Sequence, residues 1–360
     1  MRKHRVLLMV HKSLVPPANV RGMSAADIDE FRAEHDVLQA LRRGGHDVRV
    51  VGIGDHLTDL HHAIGEWRPH VVFNLLDEFS GIISYDHYVV AYLELLRQRY
   101  TGCNPRGMML SRDKVLTKRV LASHGVATPS FTLFPFGRRF RTPARVEFPL
   151  LVKSATEDAS LGISQASVVE DMRSLRERVE FIHDEVQSDA LAEEYVDGRE
   201  LYVGVLGNAK LVALPPWEMD FGALPADQAR IATRRAKWNR KYQARHGIRT
   251  GKARDLSNEQ RALLSALAKR TYRALYMSGF ARMDFRLCAD GRIVLLEANC
   301  NPNLSKGEDF ADSAKAVGIG YVALVERIVQ LGLAYMPEWR MFDEPEQARS
   351  RQNVKSTPIA

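Results

Sequence analysis

Residues 283–303, MDFRLCADGRIVLLEANCNPN, restrict the local fold more than any other segment of the chain. Asp284, Glu297 and Asn299 lie within a short apolar stretch that Asp290-Gly291 interrupts. Asp-Gly is a strong hairpin signal, because a type I′ turn needs positive φ at both central residues. The sequence therefore predicts an antiparallel hairpin with Asp290-Gly291 as its loop and Ala289 facing Arg292.

This predicted loop decides which residues face each other further along the hairpin. Counting outward places Asp284 opposite Glu297 and Arg282 opposite Asn299, and strand alternation puts all four on one face. Facing Cβ atoms lie ~5 Å apart, where like charges destabilise a pair. A divalent cation would remove this repulsion. Carboxylate and amide oxygens, without histidine or thiolate, suit Mg²⁺ or Mn²⁺.

Magnesium seldom occupies a site made only of protein ligands, and it usually binds one or two carboxylates together with substrate phosphates. The hairpin therefore suggests a bound nucleoside triphosphate. An alternative is a hairpin whose acidic face is hydrated, or is paired with Arg282 and Arg286. The hairpin residues alone do not decide between these interpretations.

The composition is that of an ordinary globular protein. With 360 residues, 45% hydrophobic and 26% charged, the chain has room for two or three domains. The only early apolar run, Val6–Val10, is too short for a signal peptide, and no run approaches the ~20 residues of a membrane span. Cys103, Cys288 and Cys300 show no paired spacing. We therefore expect a cytoplasmic protein with reduced thiols and no membrane association.

The net charge of +7 makes an acidic ligand plausible, and much of it lies in residues 234–254. This basic run, RRAKWNRKYQARHGIRTGKAR, has nine Lys/Arg and no Asp or Glu. It is either a solvated face or a contact for phosphate or nucleic acid. The absence of zinc-finger spacing and of an RNA-binding aromatic motif argues against nucleic acid.

Strand and helix patterns alternate in the first hundred residues, which favours a parallel sheet with crossover helices. The expected strands are 5–10, 48–54 and 69–76, and the expected helices are 24–43, capped by Ser24, and 85–98. No glycine-rich fingerprint follows the first strand, so we do not expect a dinucleotide site there.

A second unit is predicted to begin near Ser111. Its expected elements are a helix over 111–125, strands in 126–134 and 147–155, a charged helix over 168–187, and three strands with turns at Asp197-Gly198 and Gly207-Asn208. A helix over 257–279 precedes the hairpin, and one over 312–333 follows it. The predicted domains are 1–110, 111–196 and 197–335, followed by a polar tail over 336–360.

The hairpin motifs "RMD" (282–284) and "EANCNP" (297–302) resemble those of the ATP-grasp superfamily, and of its D-alanine–D-alanine ligase branch in particular. The similarity runs from about Val71 to Gln330. It implies an α/β and α+β ATP-grasp fold, with an N-terminal Rossmann-like (pre-ATP-grasp) domain, a small central domain and a C-terminal domain. ATP would lie between the latter two.

The resemblance implies that Asp284, Glu297 and Asn299 bind two Mg²⁺ (or Mn²⁺) ions that bridge the ATP phosphates. It also implies that Arg282 stabilises the oxyanion of a tetrahedral intermediate.

Four further segments, in the family's order, imply the remaining ATP contacts. They are "SRDKVLTK", "FPLLVKSATEDASLGIS", "LAEEYVDGREL" and "RRAKWNRKY". The implied phosphate contacts are Lys114 and Lys153, together with Ser160 and Gly162 of the covering loop. Lys237 is implied at the γ-phosphate. Those to the nucleoside are Glu193, Glu194, Tyr195 and Val196 around adenine, and Glu200 on the ribose.

The sequence departs from the family at three places, and the first two are loops before residue 163. Where the family favours Glu-Gly-Ser-Ser in the phosphate-covering loop, this chain has Glu157-Asp158-Ala159-Ser160, which replaces a glycine and adds a negative charge. The stretch "LLDEFSGIISYDH" (75–87) replaces a His-Gly…Gly-Glu-Asp-Gly segment of the D-alanine ligases.

A third departure follows Pro302, where the chain reads "NLSKGEDF". In the D-alanine ligases, small hydroxyl and apolar residues here receive the carboxylate of the second amino acid. Glu308 and Asp309 would repel a carboxylate at roughly 3–5 Å unless Lys306 compensates. We therefore predict that the acceptor is not free D-alanine.

Together these features predict an ATP-dependent carboxylate–amine ligase that acts through an acyl phosphate and releases ADP and phosphate, with Lys153 and Lys237 holding the γ-phosphoryl group. Its substrates would be a small carboxylate and a small amine, and relatives imply a homodimer. Candidate substrate contacts are His11, Asp77, Glu78, His87, Ser305 and Glu308. The alternatives are a D-alanine–D-alanine ligase, a phosphotransferase that stops at the acyl phosphate, and a non-catalytic nucleotide- or nucleic-acid-binding protein.

Overall fold

The computed structural model describes residues 2–156, 163–225 and 228–340, and these residues form three separate β-sheets. None of the helices in these ranges has the length and apolar character needed to cross a bilayer. The covering-loop residues 157–162 and the tail residues 341–360 lie outside the described ranges.

The first sheet is parallel. Its elements and the helices around it are β1 (Arg5–His11), α1 (Ala25–Glu30), α2 (Arg32–Arg43), β2 (Asp47–Ile53), α3 (Thr58–Trp67), β3 (Val71–Asn74), α4 (Asp86–Leu95) and α5 (Pro105–Arg112). The strand order is β2-β1-β3. β1 is continuously apolar because both of its faces are covered. Leu8 packs in a cluster with Leu41 of α2, and Met9 packs in one with Leu60 of α3.

The second sheet is antiparallel, with order β4-β7-β5-β6. Its region contains α6 (Lys114–Ser123), β4 (Phe131–Phe134), β5 (Leu150–Ser154), β6 (Val168–Val169), α7 (Met172–Phe181) and β7 (Ala190–Glu194). Leu175 of α7 packs with Val152 and Ala192 on one face. Strand alternation turns Lys153 and Glu193 to the opposite face, toward α6.

The third sheet carries the hairpin, and its strand order is β11-β10-β8-β12-β13, with β9 paired to β8. Its elements are β8 (Arg199–Leu206), β9 (Val212–Ala213), β10 (Trp217–Asp220), α8 (Arg234–Trp238), α9 (Arg240–His246), β11 (Arg249–Lys252), α10 (Asn258–Ala274), β12 (Phe280–Leu287), β13 (Ile293–Asn299), α11 (Asp309–Lys315) and α12 (Tyr321–Ala334). Leu264 and Tyr272 of α10 pack with Met283 and Phe285 of β12.

The last helix, α12, returns to the first sheet. Leu324 and Ile328 share an apolar cluster with Val37 and Leu41 of α2 and with Leu8 of β1. The first sheet is therefore covered partly by residues from the opposite end of the chain. The predicted domain boundaries stay a prediction.

Several predicted helices are interrupted. Ser24 caps α1 as expected, but the helix over 24–43 breaks at Phe31, whose φ of −123° and ψ of 29° are not helical. The helix over 312–333 is two helices, since α11 ends at Lys315 and α12 begins after Gly320. Residues 168–169, expected to be helical, form β6.

Helix α5 was not predicted, although its start signals are present in the sequence. Asn104 accepts a hydrogen bond from the backbone N–H of Gly107, and Pro105 is the first helical residue. Both are preferred at those positions of a helix.

The hairpin has the predicted pairs but a different turn. Arg282 faces Asn299 and Asp284 faces Glu297, as predicted, whereas Leu287 faces Ile293. Of the two predicted loop residues, only Gly291 has positive φ, at 87°. The Gly291 N–H donates to the Cys288 carbonyl and the Cys288 N–H to the Arg292 carbonyl, at 3.0 and 2.9 Å, which makes a longer loop than predicted.

A bulge between Asp284 and Phe285 then restores the predicted register. Leu295 faces Phe285 while Glu297 faces Asp284, so Leu296 is the extra residue on β13. The longer loop and the bulge each shift the pairing by one residue, in opposite directions. The prediction of facing carboxylates is therefore confirmed, although the predicted turn that led to it was wrong.

Candidate active site

Two cavities meet at the β12–β13 hairpin, and Lys237 and Glu297 line both. The small cavity, about 80 Å³, is lined by residues of the second and third sheets that include Lys153, Glu193, Glu194, Tyr195, Val196, Glu200, Asp284, Arg286 and Leu296. The large cavity, about 330 Å³, lies between the third sheet and the N-terminal region, and its lining includes Asp29, Glu34, Asp77, Arg112, Arg282, Asn299, Asn301, Ser305, Glu308 and Asp309.

Strand alternation builds the polar floor of both cavities. Met283 and Phe285 of β12 point into the core, so Arg282, Asp284 and Arg286 point to the cavities. On the neighbouring strand β8, Tyr202 faces Asp284 and Glu200 faces Arg286.

Arg282 is held by three neighbours. Its Nε and Nη2 donate to Asp284 Oδ1 and Oδ2 at 2.7 and 2.8 Å, and its Nη1 donates to Asp309 Oδ2 at 2.9 Å. Its guanidinium carbon lies 4.8 Å from the centroid of the Tyr202 ring. Burial alone would lower the pKa of Arg282, but Asp284 and Asp309 outweigh it and hold that pKa well above its usual value. The guanidinium is therefore a fixed cation.

Asp284 and Glu297 face each other but have different surroundings. Burial raises the pKa of Asp284 to about 6, although Arg282 opposes the shift. Burial would also raise the pKa of Glu297, yet the charges of Lys114, Lys153 and Lys237 lower it to about 2. Lys114 Nζ lies 3.5 Å from Glu297 Oε1. Part of the predicted alternative is therefore present, since Arg282 does pair with Asp284.

The donor set of Asp284, Glu297 and Asn299 fits a hard divalent cation. Asn299 Oδ1 accepts a hydrogen bond from the Asn301 N–H at 2.8 Å, which orients the amide oxygen. Each Asp284 oxygen accepts one hydrogen bond from Arg282 and keeps a further lone pair. Within the described residues no group of three or more His, Cys, Asp or Glu side chains could hold a metal, so ligands from a substrate would have to complete the coordination.

A buried ion-pair network lies beneath the small cavity. Glu193 is 1% exposed, and its carboxylate oxygens lie 3.0 Å from Lys153 Nζ and 3.1 Å from Lys118 Nζ. Burial would raise the pKa of Glu193, but the two lysines lower it. Burial lowers the pKa of Lys118, whereas Glu193 and Glu297 overcome burial and raise that of Lys153.

Lys118 was not among the predicted site residues. It lies four residues after Lys114 in α6, a spacing that puts both side chains on the same helix face. That spacing was the signal available in the sequence.

The predicted nucleoside contacts lie at the small cavity, where several already have protein partners. Glu200 accepts hydrogen bonds from Tyr202 OH at 2.8 Å and from Arg286 Nη2 at 3.0 Å. Tyr195 OH accepts from the backbone N–H of Arg230 at 3.1 Å, and Val196 packs in an apolar cluster with Cys288. Ser160 and Gly162 of the predicted covering loop lie outside the described residues.

The basic run folds into α8, α9 and β11. Of its nine Lys and Arg residues, all of which the structure describes, Lys237 is the one that lines the two cavities. Thr233 caps α8 by accepting a hydrogen bond from the Ala236 N–H at 3.1 Å. The positive charge of Lys237 helps to lower the pKa of Glu297 and opposes the rise in the pKa of Asp284.

The structure divides the predicted substrate residues into two groups. Asp77, Ser305 and Glu308 line the large cavity. Within the described part of the chain, His11, Glu78 and His87 line neither cavity. His11 Nε2 lies 3.4 Å from Glu78 Oε1, and the His87 ring lies 4.0 Å from the Tyr88 ring.

Glu34 and Arg112 line the large cavity and were not predicted. Each lies on a helix that sequence patterns alone do not orient toward a site.

Comparison with known proteins extends the likeness over most of the chain. The family model for the "D-ala D-ala ligase C-terminus" matches residues 120–330. An uncharacterised Sinorhizobium fredii protein, y4sG, is 33% identical over 305 residues, which are 83% of this chain and 87% of that protein. The D-alanine–D-alanine ligase of Bordetella petrii is 33% identical over 300 residues, or 82% and 88% of the two chains.

Solved structures with the same architecture include D-alanine–D-alanine ligases. The Bacillus anthracis enzyme complexed with ATP has a TM-score of 0.69 and 19% identity, over 92% of this chain and 97% of that one. The Coxiella burnetii enzyme has a TM-score of 0.66 and 16% identity, over 99% of each chain. These likenesses confirm the predicted fold class.

Proposed function

Because the chain belongs to the D-alanine–D-alanine ligase family of ATP-grasp ligases, we propose that it joins a small carboxylate to a small amine through an acyl phosphate. Membership makes it an ATP-dependent ligase that forms carbon–nitrogen bonds. The observation that carries the finer proposal is the hairpin register, which puts Arg282, Asp284, Glu297 and Asn299 on one polar face shared by two cavities.

The nucleoside of ATP would lie in the small cavity, at Glu194, Tyr195 and Val196, with the ribose at Glu200. Its phosphates would extend toward Glu297, where the two cavities meet, within reach of Lys114, Lys153 and Lys237. At about 80 Å³ the small cavity is below the ~300–1,000 Å³ typical of ligand pockets, so nucleotide binding requires it to widen.

Asp284, Glu297 and Asn299 would hold Mg²⁺ (or Mn²⁺), which neutralises phosphate charge when bound. This trio spans the boundary between the cavities, since Asp284 lines the small one and Asn299 the large one. The γ-phosphate end of ATP would thereby meet the substrates in the large cavity.

The reaction would have two steps. A carboxylate oxygen of the first substrate attacks the γ-phosphorus, and the bond from that phosphorus to ADP breaks while Lys153 and Lys237 stabilise the developing charge. The nitrogen of the amine then attacks the acyl carbon, the bond to phosphate breaks, and the nitrogen loses a proton. Arg282, fixed by Asp284 and Asp309, stabilises the oxyanion between these events.

An ADP-release assay over a panel of acids and amines tests this proposal, with hydroxylamine added to trap an acyl phosphate as hydroxamate. Glu297→Ala should abolish ADP release, because the facing carboxylate and its charge are lost. Asp290→Asn, on the exposed turn of the same hairpin, is the matched control and should keep full activity. Circular dichroism would verify that both variants fold. Unchanged turnover in Glu297→Ala would refute the site assignment.

A D-alanine–D-alanine ligase is the second candidate, favoured by the activity for which the relatives are named. ADP release that depends on D-alanine alone, with D-alanyl-D-alanine as product, would establish it. ATP binding without turnover on any acid, together with salt-dependent binding of DNA or RNA, would instead indicate a non-catalytic protein. The homodimer remains a prediction.

A further inference from the structure

The wall of the large cavity carries more acid than base. Among the described residues, seven Asp or Glu side chains line it, against four Lys or Arg side chains. All three lining arginines have carboxylate partners: Arg32 pairs with Asp29, Arg112 with Asp86, and Arg282 with Asp284 and Asp309. The fourth cation, Lys237, faces the carboxylates of the hairpin and lies between the cavities.

Lys306 could have compensated the negative charges of Glu308 and Asp309, but it pairs with a different carboxylate. Its Nζ lies 3.0 Å from Asp36 Oδ1 and 5.0 Å from the centroid of the Tyr321 ring, and it is not part of the cavity wall. Asp309 instead pairs with Arg282. Glu308 has no ion pair among the described residues, and burial together with Asp309 raises its pKa against the opposing charges of Arg32 and Arg282.

Glu34 is an independent sign that a cation belongs in this cavity. It lies in the first turn of α2, is 6% exposed, and lines the cavity. Its carboxylate has a hydrogen bond to the backbone of Glu34 itself, but within the described residues it has no side-chain hydrogen bond or ion pair. Burial, with a contribution from Asp77, raises the pKa of Glu34 to about 7. A buried carboxylate without a cationic partner is costly, and a bound cation would offset that cost.

We propose that the large cavity binds an amine acceptor that carries a second cationic group and no free carboxylate. This inference rests on the proposed ligase function and names the substrate class of the same site. Glu34, Asp77 and Glu308 bind the cationic group, which stays protonated. The other nitrogen reacts in its neutral form, attacks the acyl carbon as phosphate leaves, and gives up one proton. An acceptor with a free carboxylate meets like charge here and finds no arginine without a partner.

Three probes of matched length test the proposal by isothermal titration calorimetry: 1,4-diaminobutane, butylamine and 4-aminobutanoate. Each is titrated into the full chain with Mg²⁺ and a non-hydrolysable ATP analogue. We expect the diamine to bind at least about ten-fold more tightly than butylamine, and 4-aminobutanoate to bind most weakly. Equal or tighter binding of either other probe, or no measurable binding of the diamine, would overturn the proposal.

Glu34→Gln should weaken diamine binding at least about ten-fold and leave butylamine binding nearly unchanged. Glu66→Gln, an exposed carboxylate of α3 that does not line the cavity, is the control and should change diamine affinity less than about three-fold. Asp77→Asn, at an exposed position, provides a second variant should Glu34→Gln fail to fold. Unchanged diamine affinity in the folded Glu34→Gln variant, or in Asp77→Asn where that variant replaces it, contradicts the assignment.

The hydroxylamine trap separates this proposal from the ligase function, because it detects the acyl phosphate without the natural acceptor. Hydroxamate formation combined with a preference for 4-aminobutanoate or butylamine would support the ligase function and contradict the proposed class of acceptor. Diamine selectivity without any hydroxamate would support the cation-binding site and contradict the acyl-phosphate step.

Discussion

The small and large cavities share two residues but differ in how their charges are balanced. In the small cavity Glu193 contacts two lysines, Glu200 contacts Arg286, and each buried ion therefore has an opposite charge beside it. In the large cavity Glu34 and Glu308 form no ion pair among the described residues, although the charges of Arg32 and Arg282 act on Glu308.

This difference shows in which cavity the buried charges are balanced without a ligand. Paired buried ions hold one another in a fixed geometry, so Lys153 is already positioned for phosphate, although the small cavity must widen to admit the nucleotide. Unpaired carboxylates in the large cavity are costly until a cation arrives. The paired ions of the small cavity hold its side chains in place before ATP binds. The unpaired carboxylates of the large cavity favour selection of a substrate by its charge.

The largest expected effect separates two lysines that share one carboxylate. Lys153→Met should reduce kcat/KM for ATP by about 10²–10³-fold, because Lys153 lines the small cavity and would contact phosphate. Lys118 forms the other ion pair of Glu193 but does not line the cavity. Lys118→Met should therefore destabilise the chain about as much as Lys153→Met does, with little effect on ATP kinetics. ADP-release kinetics and urea unfolding would measure both variants, and equal kinetic losses would contradict the proposed roles.

Removing the shared carboxylate should have the largest effect on stability. Glu193→Gln leaves Lys118 and Lys153 buried without their anion, which we expect to lower the free energy of unfolding by about 3–5 kcal/mol. Urea denaturation gives the value. Glu194→Gln is the control, because the half-buried Glu194 contacts Ser130 rather than a lysine. A loss no greater than the control's would show that the network contributes little.

Glu34 should show the opposite behaviour, since its charge is unpaired. Its pKa rises from 4.5 to about 7 on folding, so between these pH values the folded chain binds a proton that the unfolded chain has released. The free energy of unfolding therefore falls as the pH rises through this window. Glu34→Gln should be more stable than the parent chain at pH 8 by on the order of 2 kcal/mol, with no gain from this source near pH 4. Urea titrations at both pH values test this, and a gain independent of pH would refute it.

The smallest effect concerns Asp309, a positioning residue where the large cavity meets Arg282. Asp309→Asn should lower kcat about ten-fold and leave KM for ATP unchanged, because Arg282 loses one of the groups that hold it. Asp309→Glu, which keeps the charge, should recover part of the loss. Asp312→Asn, one turn along α11, serves as the control. A change in KM for ATP without a change in kcat would argue against positioning.

Local patterns in the sequence predicted most of the secondary structure. Asp290-Gly291 within an apolar stretch predicted the hairpin of β12 and β13, and Ser24 marked the start of a helix. Such signals act between near neighbours in the chain, so they can be read without the fold. They failed where packing intervened, as at Phe31, a largely buried residue where the predicted helix breaks.

The sequence by itself determined that a hairpin with carboxylate and amide side chains forms here and what kind of chemistry such side chains support, whereas the pairing of Asp284 with Glu297 also needed the bulge at Leu296, which the sequence did not predict. Only the tertiary structure decided which charges are matched. Lys306 pairs with Asp36, 270 residues away, and Glu193 bonds a lysine of α6 as well as its strand neighbour Lys153. The physical reason is that burial and electrostatic interaction depend on distance in space, which residue spacing along a chain does not encode.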